Sequence, residues 1–213
     1  TFAFRGPFEM AKITATVDEL SAGRIEVGLG AGWHAPEHLP LGLPFGALGE
    51  RFERLEEQLT VLPRLWIGEE VSHSGRHYRL DGAVSLPRPV QYPGPPIIVG
   101  GKGRPRGLRL AVEHAAEYDL DTVGPDVCAD VGRRLDAACA AAGRPRGSIV
   151  LSVMTPPADG SGPLRRQLEA YAAAGIERIV LDLGTAPIGA DVDGLAASLR
   201  ASIGWSGASA VSR

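Results

Sequence analysis

Two cysteines in 213 residues are too few for a disulfide framework, and both fall on one expected helix. At about 1.5 Å of rise per residue, Cys128 and Cys139 would stand roughly 16 Å apart along its axis, beyond the roughly 7 Å of Cα separation that a disulfide tolerates. They read as helix residues of a reducing compartment, with pairing between two chains left open. No apolar run is long enough to span a bilayer, and no basic, apolar, then small-residue signal opens the chain; the expectation is a cytoplasmic protein that engages no membrane. Lys and Arg total 22 against 25 Asp and Glu and form no block, so nothing points to nucleic acid. Thr1 stands in what reads as a loop, which leaves processing or a longer chain open.

What is present is globular in character. An apolar fraction of 44% with 22% charged residues supports one substantial core and is short for two domains, while 28 Gly and 17 Pro imply many turns. The stretch that organises the rest is Arg24 to Trp33, RIEVGLGAGW, in which Ile25, Val27 and Leu29 alternate as in a strand and run into spaced glycines. Before it, Pro7 opens a helix whose Met10, Ile13, Val17 and Leu20 form one buried stripe. After it, Pro36, Pro40 and Pro44 make His34 to Gly46 a loop. Leu48, Phe52, Leu55, Leu59, Leu62 and Trp66 then mark a long helix, which Pro63 should bend, with Trp66 as a core anchor.

Val71 to Leu80 reads as a small hairpin, and the prolines from Pro87 to Pro96 as a constrained extended loop. That loop delivers Ile97, Ile98 and Val99, a short run suited to a strand covered on both faces. Helices are expected around Leu108 to Ala115, Val127 to Ala142, Leu164 to Tyr171 and Val192 to Leu199, and strands at Asp119 to Val123, Ile149 to Val153 and Ile179 to Leu183. Repeated strand and helix spacing argues for an α/β protein with a parallel sheet.

Chemistry concentrates after two of these strands. In Val99 to Arg104, VGGKGR, glycines let backbone N–H groups approach an anion, a helix start adds a favourable field, and Lys102 or Arg104 supplies charge. The spacing is not a Walker motif, and an ordinary glycine turn with two solvated cations is the competing reading. His34 could move a proton with Glu37 orienting it, and Trp33 could cover a planar ligand, or pack on Pro36 instead. His73 and His77 have no third ligand at zinc spacing, and no serine sits in a nucleophile setting, so no metal and no hydrolase triad is assigned.

LSAGRIEVGLGAGW from Leu20, PEH from Pro36, RFERLEE from Arg51, GRHYRL from Gly75 and PRPVQYPGPPIIVGGKG from Pro87 together resemble the bacterial luciferase-like monooxygenase superfamily, especially its branch dependent on the deazaflavin coenzyme F420. The resemblance implies a TIM barrel with a cofactor at the carboxyl ends of the strands, Arg24 to Gly30 being similar to the fourth barrel strand and Ile97 to Val99 to the fifth. The first three strands have no counterpart here. The implied arrangement is one partial barrel domain over residues 1–205, with an excursion at about 69–96 and a flexible tail at 206–213. It also implies phosphate contacts from Gly100, Gly101, Lys102, Gly103 and Arg104, and ring contacts from Ala31, Gly32, Trp33 and His34, with His34 handling a proton. The implied reaction is hydride transfer between F420 and an organic small molecule; with FMN in the same place, it would be monooxygenation using dioxygen. A shortened, non-catalytic flavin-binding or structural subunit is the remaining reading, and a homodimer or partner subunit is expected to cover an open sheet edge.

Overall fold

The structure, a computed structural model, describes residues 5–145, 147–158 and 161–184. Helix α1 (Pro7–Leu20) leads into strand β1 (Val27–Leu29), then a short helix α2 (Ala35–His38), a 3-10 turn at Leu39–Leu41 and the long helix α3 (Leu48–Ile67). A hairpin of β2 (Val71–Ser74) and β3 (Arg79–Ala83) follows. The chain then alternates through β4 (Ile97–Gly101), α4 (Pro105–His114), β5 (Glu117–Asp121), α5 (Pro125–Ala141), β6 (Val150–Thr155), α6 (Ser161–Ala173) and β7 (Arg178–Leu181).

The main sheet runs β1-β4-β5-β6-β7 with every pair parallel. The order never reverses, so right-handed crossovers place every helix on the same face. Side chains alternate accordingly. Val27, Leu29, Ile97, Val99, Tyr118, Leu120, Leu151 and Val153 are buried toward the helices, while Gly28, Ile98, Gly100, Asp119 and Ser152 alternate onto the other face. Across that second face, Arg178 of β7 donates to the Glu26 carboxylate, just before β1, at 2.6 and 2.9 Å. Side chains from the two outer strands meet, so the sheet is curled and the face is concave, as in a barrel wall.

The expected long helix runs through Pro63 and buries Leu55, Leu59, Leu62, Leu65 and Trp66. The hairpin folds onto it because one carboxylate organises its turn: Glu57 accepts the N–H groups of Arg76, His77 and Tyr78 and the His73 ring. Burial opposes ionisation of Glu57, but these bonds outweigh it and hold the carboxyl below its ordinary range. His77 pairs with Glu53 at 2.9 Å, so both histidines serve the hairpin.

Several expectations need correction. The Ile13, Val17 and Leu20 stripe of α1 is not buried; these residues are 43, 43 and 81% exposed. The inward face is Pro7, Ala11, Thr14, Ala15 and Asp18, because polar partners wait there. Thr14 Oγ1 accepts from Trp66 Nε1 at 2.9 Å, and the fully buried Asp18 carboxylate accepts from the backbone N–H of Gln91 at 2.9 Å and from its side-chain amide at 2.7 Å. Among the described residues β4 is covered on its helix side alone, since Ile98 is half-buried and Gly100 exposed. The loop from His34 contains two short helical turns, and the strand expected at Asp119 begins at Glu117. Cys128 and Cys139 are free and, with Val131 and Leu135, form the buried stripe of α5, where burial pushes both thiols up. The helix expected around Val192 to Leu199 and the tail from 206 lie outside the described residues.

Candidate cofactor site

Strands β1 and β4 are parallel neighbours with Leu29 opposite Val99, so the segments that leave them rise from one edge of the sheet. The sheet therefore brings Ala31, Gly32, Trp33 and His34 to the same carboxyl edge as Lys102, Gly103 and Arg104. Below them the concave face carries no side chain at two adjoining positions. A Cβ on Gly30 would come no closer than 3.8 Å to the Gly100 carbonyl, and one on Gly100 no closer than 4.0 Å to the Leu29 carbonyl. The result is a floor of bare backbone.

Asp119 stands beside Gly100 in the register, and Ser152 beside Asp119. The fully buried Ser152 donates from Oγ to Asp119 Oδ1 at 2.8 Å. Burial pushes the Asp119 carboxyl up; the Ser152 bond pulls the other way, and the nearby Asp121 carboxylate adds to the rise. Asp121 faces Lys102, whose exposed Nζ lies 3.8 Å from Oδ2.

The loop after β4 is held from beneath. The buried Tyr118 hydroxyl accepts the Gly103 N–H at 3.0 Å, and Arg134 donates to the Gly103 carbonyl at 2.6 Å. Gly103 is buried with φ +68°, and its N–H is thereby taken out of the set that could meet a phosphate. Lys102 and Arg104 are exposed, and Arg104 caps the start of α4 with extended backbone.

The loop after β1 is fastened by the first residue of the RFERLEE stretch. Arg51, on the second turn of α3, donates from Nε to the Ala31 carbonyl at 3.2 Å and from Nη1 to the Gly46 carbonyl at 2.9 Å. Its guanidinium also lies 3.8 Å from the Phe45 ring centre. One planar fork thus ties both ends of the loop. Trp33 is 75% exposed and meets His34 edge-on at 4.9 Å, so it does not pack on Pro36 or α3 as a core residue would. Glu37 joins His34 through the backbone, its N–H donating to the His34 carbonyl at 3.2 Å. Arg51→Lys leaves a single nitrogen for two carbonyls; the expected result is about 1–2 kcal/mol of lost stability and clearly faster protease cleavage within 31–46, an unchanged cleavage rate refuting the clamp.

Among the described residues no group of three or more His, Cys, Asp or Glu could hold a metal ion, and no helix is long and apolar enough to cross a membrane.

The family model of luciferase-like monooxygenases matches residues 1–188. The chain belongs to this family. It is 36% identical over 126 residues to an F420-dependent glucose-6-phosphate dehydrogenase of Microbacterium testaceum, covering 59% of this chain and 36% of the relative. It is also 36% identical over 98 residues to an FMNH(2)-dependent dimethylsulfone monooxygenase of Pseudomonas putida, covering 46% of this chain and 27% of the relative. Its fold is similar to that of the coenzyme F420 dependent tetrahydromethanopterin reductase of Methanopyrus kandleri, with a TM-score of 0.73 at 16% identity, covering 86% of this chain and 75% of the other. The luciferase-like TIM barrel is thus the fold, here in five consecutive parallel strands among the described residues. The chain spans between about a quarter and a half of the length of the curated relatives it matches.

Proposed function

We propose that this chain supplies the cofactor-binding wall of an F420-dependent oxidoreductase, which moves a hydride between the deazaflavin and an organic small molecule. The observation that carries the reading is the bare floor at Gly30 and Gly100 beneath two loops at one sheet edge, one of them bearing Lys102 and Arg104. A planar tricycle needs close backbone approach, and its phosphate tail needs cations and a helix start, so the residues present fit the group. When bound, the deazaflavin supplies or accepts the hydride. Gly100, Gly101, Lys102 and Arg104 would meet the phosphate-bearing tail, with Gly103 shaping the turn from below. Ala31, Gly32, Trp33 and His34 would lie along the ring, and His34, half-buried at the sheet edge, is in place to exchange a proton with bulk water.

The similarity to an FMNH(2)-dependent monooxygenase favours FMN as the second reading for the same wall. In either case the substrate is small and organic, the setting is the cytoplasm, and a second copy or a partner subunit would cover the outer edge of β1. The organisation proposed is one barrel domain over residues 1–205, interrupted by the excursion at about 69–96.

Titration of the purified protein with F420 and with FMN, followed by the fluorescence of each, decides between the cofactors. Lys102→Ala is expected to weaken F420 binding about tenfold, the loss of roughly 1.5 kcal/mol typical of a charge-assisted hydrogen bond, while leaving the dephosphorylated core of F420 nearly unaffected. Equal losses for the two forms would remove Lys102 from the phosphate site.

A further inference from the structure

Lys102 and Arg104 stand exposed on the turn after β4. The next cations on α4 and α5 are already matched: Arg106 is paired with Glu56 at 2.8 Å, and Arg134 with Asp130 at 2.8 Å. Among the described residues Arg104 has no carboxylate partner. Lys102 has one, since its Nζ lies 3.8 Å from Oδ2 of Asp121 on the neighbouring strand β5.

That carboxylate is fixed from behind. Thr122 donates from Oγ1 to Asp121 Oδ1 at 2.9 Å, and its own N–H donates to the Met154 carbonyl of β6 at 2.9 Å. Thr122 takes φ +49°, a left-handed turn rare for a β-branched residue, so the chain bends away directly after Asp121. One oxygen is thus committed and the other faces the lysine. The remaining acids of β5 weigh less on the turn. Asp119 lies one pleat deeper with its carboxyl pushed up by burial, and Glu117 is paired with Arg178 at 2.8 Å. Two cations against one carboxylate leave the turn a surplus of one positive charge.

We propose that Asp121 selects the charge of the phosphate group that this turn accepts, admitting a singly charged phosphodiester and disfavouring a doubly charged phosphomonoester. The inference rests on the reading of the turn as the phosphate end of the cofactor site, and it names the residue that sets cofactor choice there. The F420 phosphate is a diester with a single negative charge. The FMN phosphate is a monoester, which carries about 1.5 to 2 negative charges at pH 7. The surplus at the turn matches the first. Repulsion from Asp121 scales with the charge of the ligand, so it costs the monoester about twice as much free energy as the diester. In terms of affinity, one penalty is about the square of the other.

The test reads binding alone. Three ligands share the deazaflavin ring: the dephosphorylated core, the core ending in a phosphate monoester, and F420. Their affinities at about pH 8, where the monoester is fully charged, and at low salt are followed by fluorescence for the wild type, Asp121→Asn and Asp121→Glu. The first substitution keeps an oxygen to accept from Thr122 and removes the charge, while the second keeps the charge. Asp121→Asn is expected to bind the monoester about tenfold more tightly than wild type and F420 about threefold more tightly, with the core unchanged. Asp121→Glu should keep the wild-type order of the two esters.

A gain for F420 equal to or above that of the monoester, or a monoester bound no more tightly than by wild type, overturns the assignment of Asp121 and leaves the cofactor reading intact. A wild-type protein that takes FMN and not F420 overturns it as well. A protein that binds none of these ligands brings down the cofactor reading, and this inference with it.

Discussion

Gly103→Ala is expected to lower the stability of the protein by about 2–5 kcal/mol, because two independent penalties coincide at that position. Its φ of +68° is a left-handed conformation, which costs a residue with a Cβ about 1–2 kcal/mol. The new Cβ would also stand 2.3 Å from Cγ2 of Val131, and overpacking of a filled core adds about 1–3 kcal/mol. For a chain of this size each kcal/mol moves the melting temperature by about 2–4 °C, so thermal denaturation should show a drop on the order of 10 °C. Gly28→Ala is the control. Its Cβ would meet nothing within 4 Å and its φ is not positive, so a change within about 0.5 kcal/mol is expected. A Gly103→Ala protein as stable as wild type would mean that α5 is not packed under this turn as described. Since the Gly103 N–H is engaged by Tyr118 and its carbonyl by Arg134, the substitution should also disorder the cation-bearing turn.

The same glycine shows what the sequence could convey and what it could not. VGGKGR is legible as a flexible turn between a strand and a helix, and that placement is correct. Nothing local says that Gly101, Gly103 and Gly107 are also demanded by packing. The cause lies in Tyr118 and Val131, 11 or more positions away in the chain, which fill the space where a Cβ would go. The α1 stripe failed for a related reason. Apolar spacing at Met10, Ile13, Val17 and Leu20 names a face, but Trp66 and Gln91 supply hydrogen bonds to Thr14 and Asp18 on another, and those partners decide which side turns inward.

The long stripe of α3 was readable because its aliphatic positions and its buried face coincide. The polar side of β5 has a signal of its own in the sequence. In Glu117-Tyr118-Asp119-Leu120-Asp121 the acids alternate with apolar residues at a period of 2, which marks a strand with one polar side. Starting the strand at Asp119 hid the pattern. What no local pattern could reveal is that this polar side faces two glycines from other strands, because adjacency in a parallel sheet depends on register between segments about 20 and 70 residues apart.

Arg178→Ala tests the curl of the sheet itself and is the second large expected effect. Arg178 bonds Glu26 across the concave face and Glu117 at 2.8 Å, and the Glu117 side chain is 6% exposed. Removing the cation leaves a buried carboxylate uncompensated; breaking a buried pair from one side costs about 3–5 kcal/mol. With Arg178 itself 42% exposed, about 2–3 kcal/mol is expected.

Adding Glu117→Gln to that variant removes the stranded charge and should recover about 1–2 kcal/mol, whereas a mere loss of arginine packing would not be rescued. The acid limb gives a further check. The Arg178 hydrogen bond, against a smaller opposing effect of burial, holds the Glu26 carboxyl below its ordinary 4.5. A depressed carboxyl contributes stability that is complete above its unfolded value and is lost as pH falls through the folded one. The gap between wild type and Arg178→Ala should therefore be widest near neutrality and narrow as the pH is lowered below 4.5. A gap that stayed constant across that range in urea denaturation would mean that the two outer strands are not joined through this ion pair, and the concave face would lose the contact that curls it.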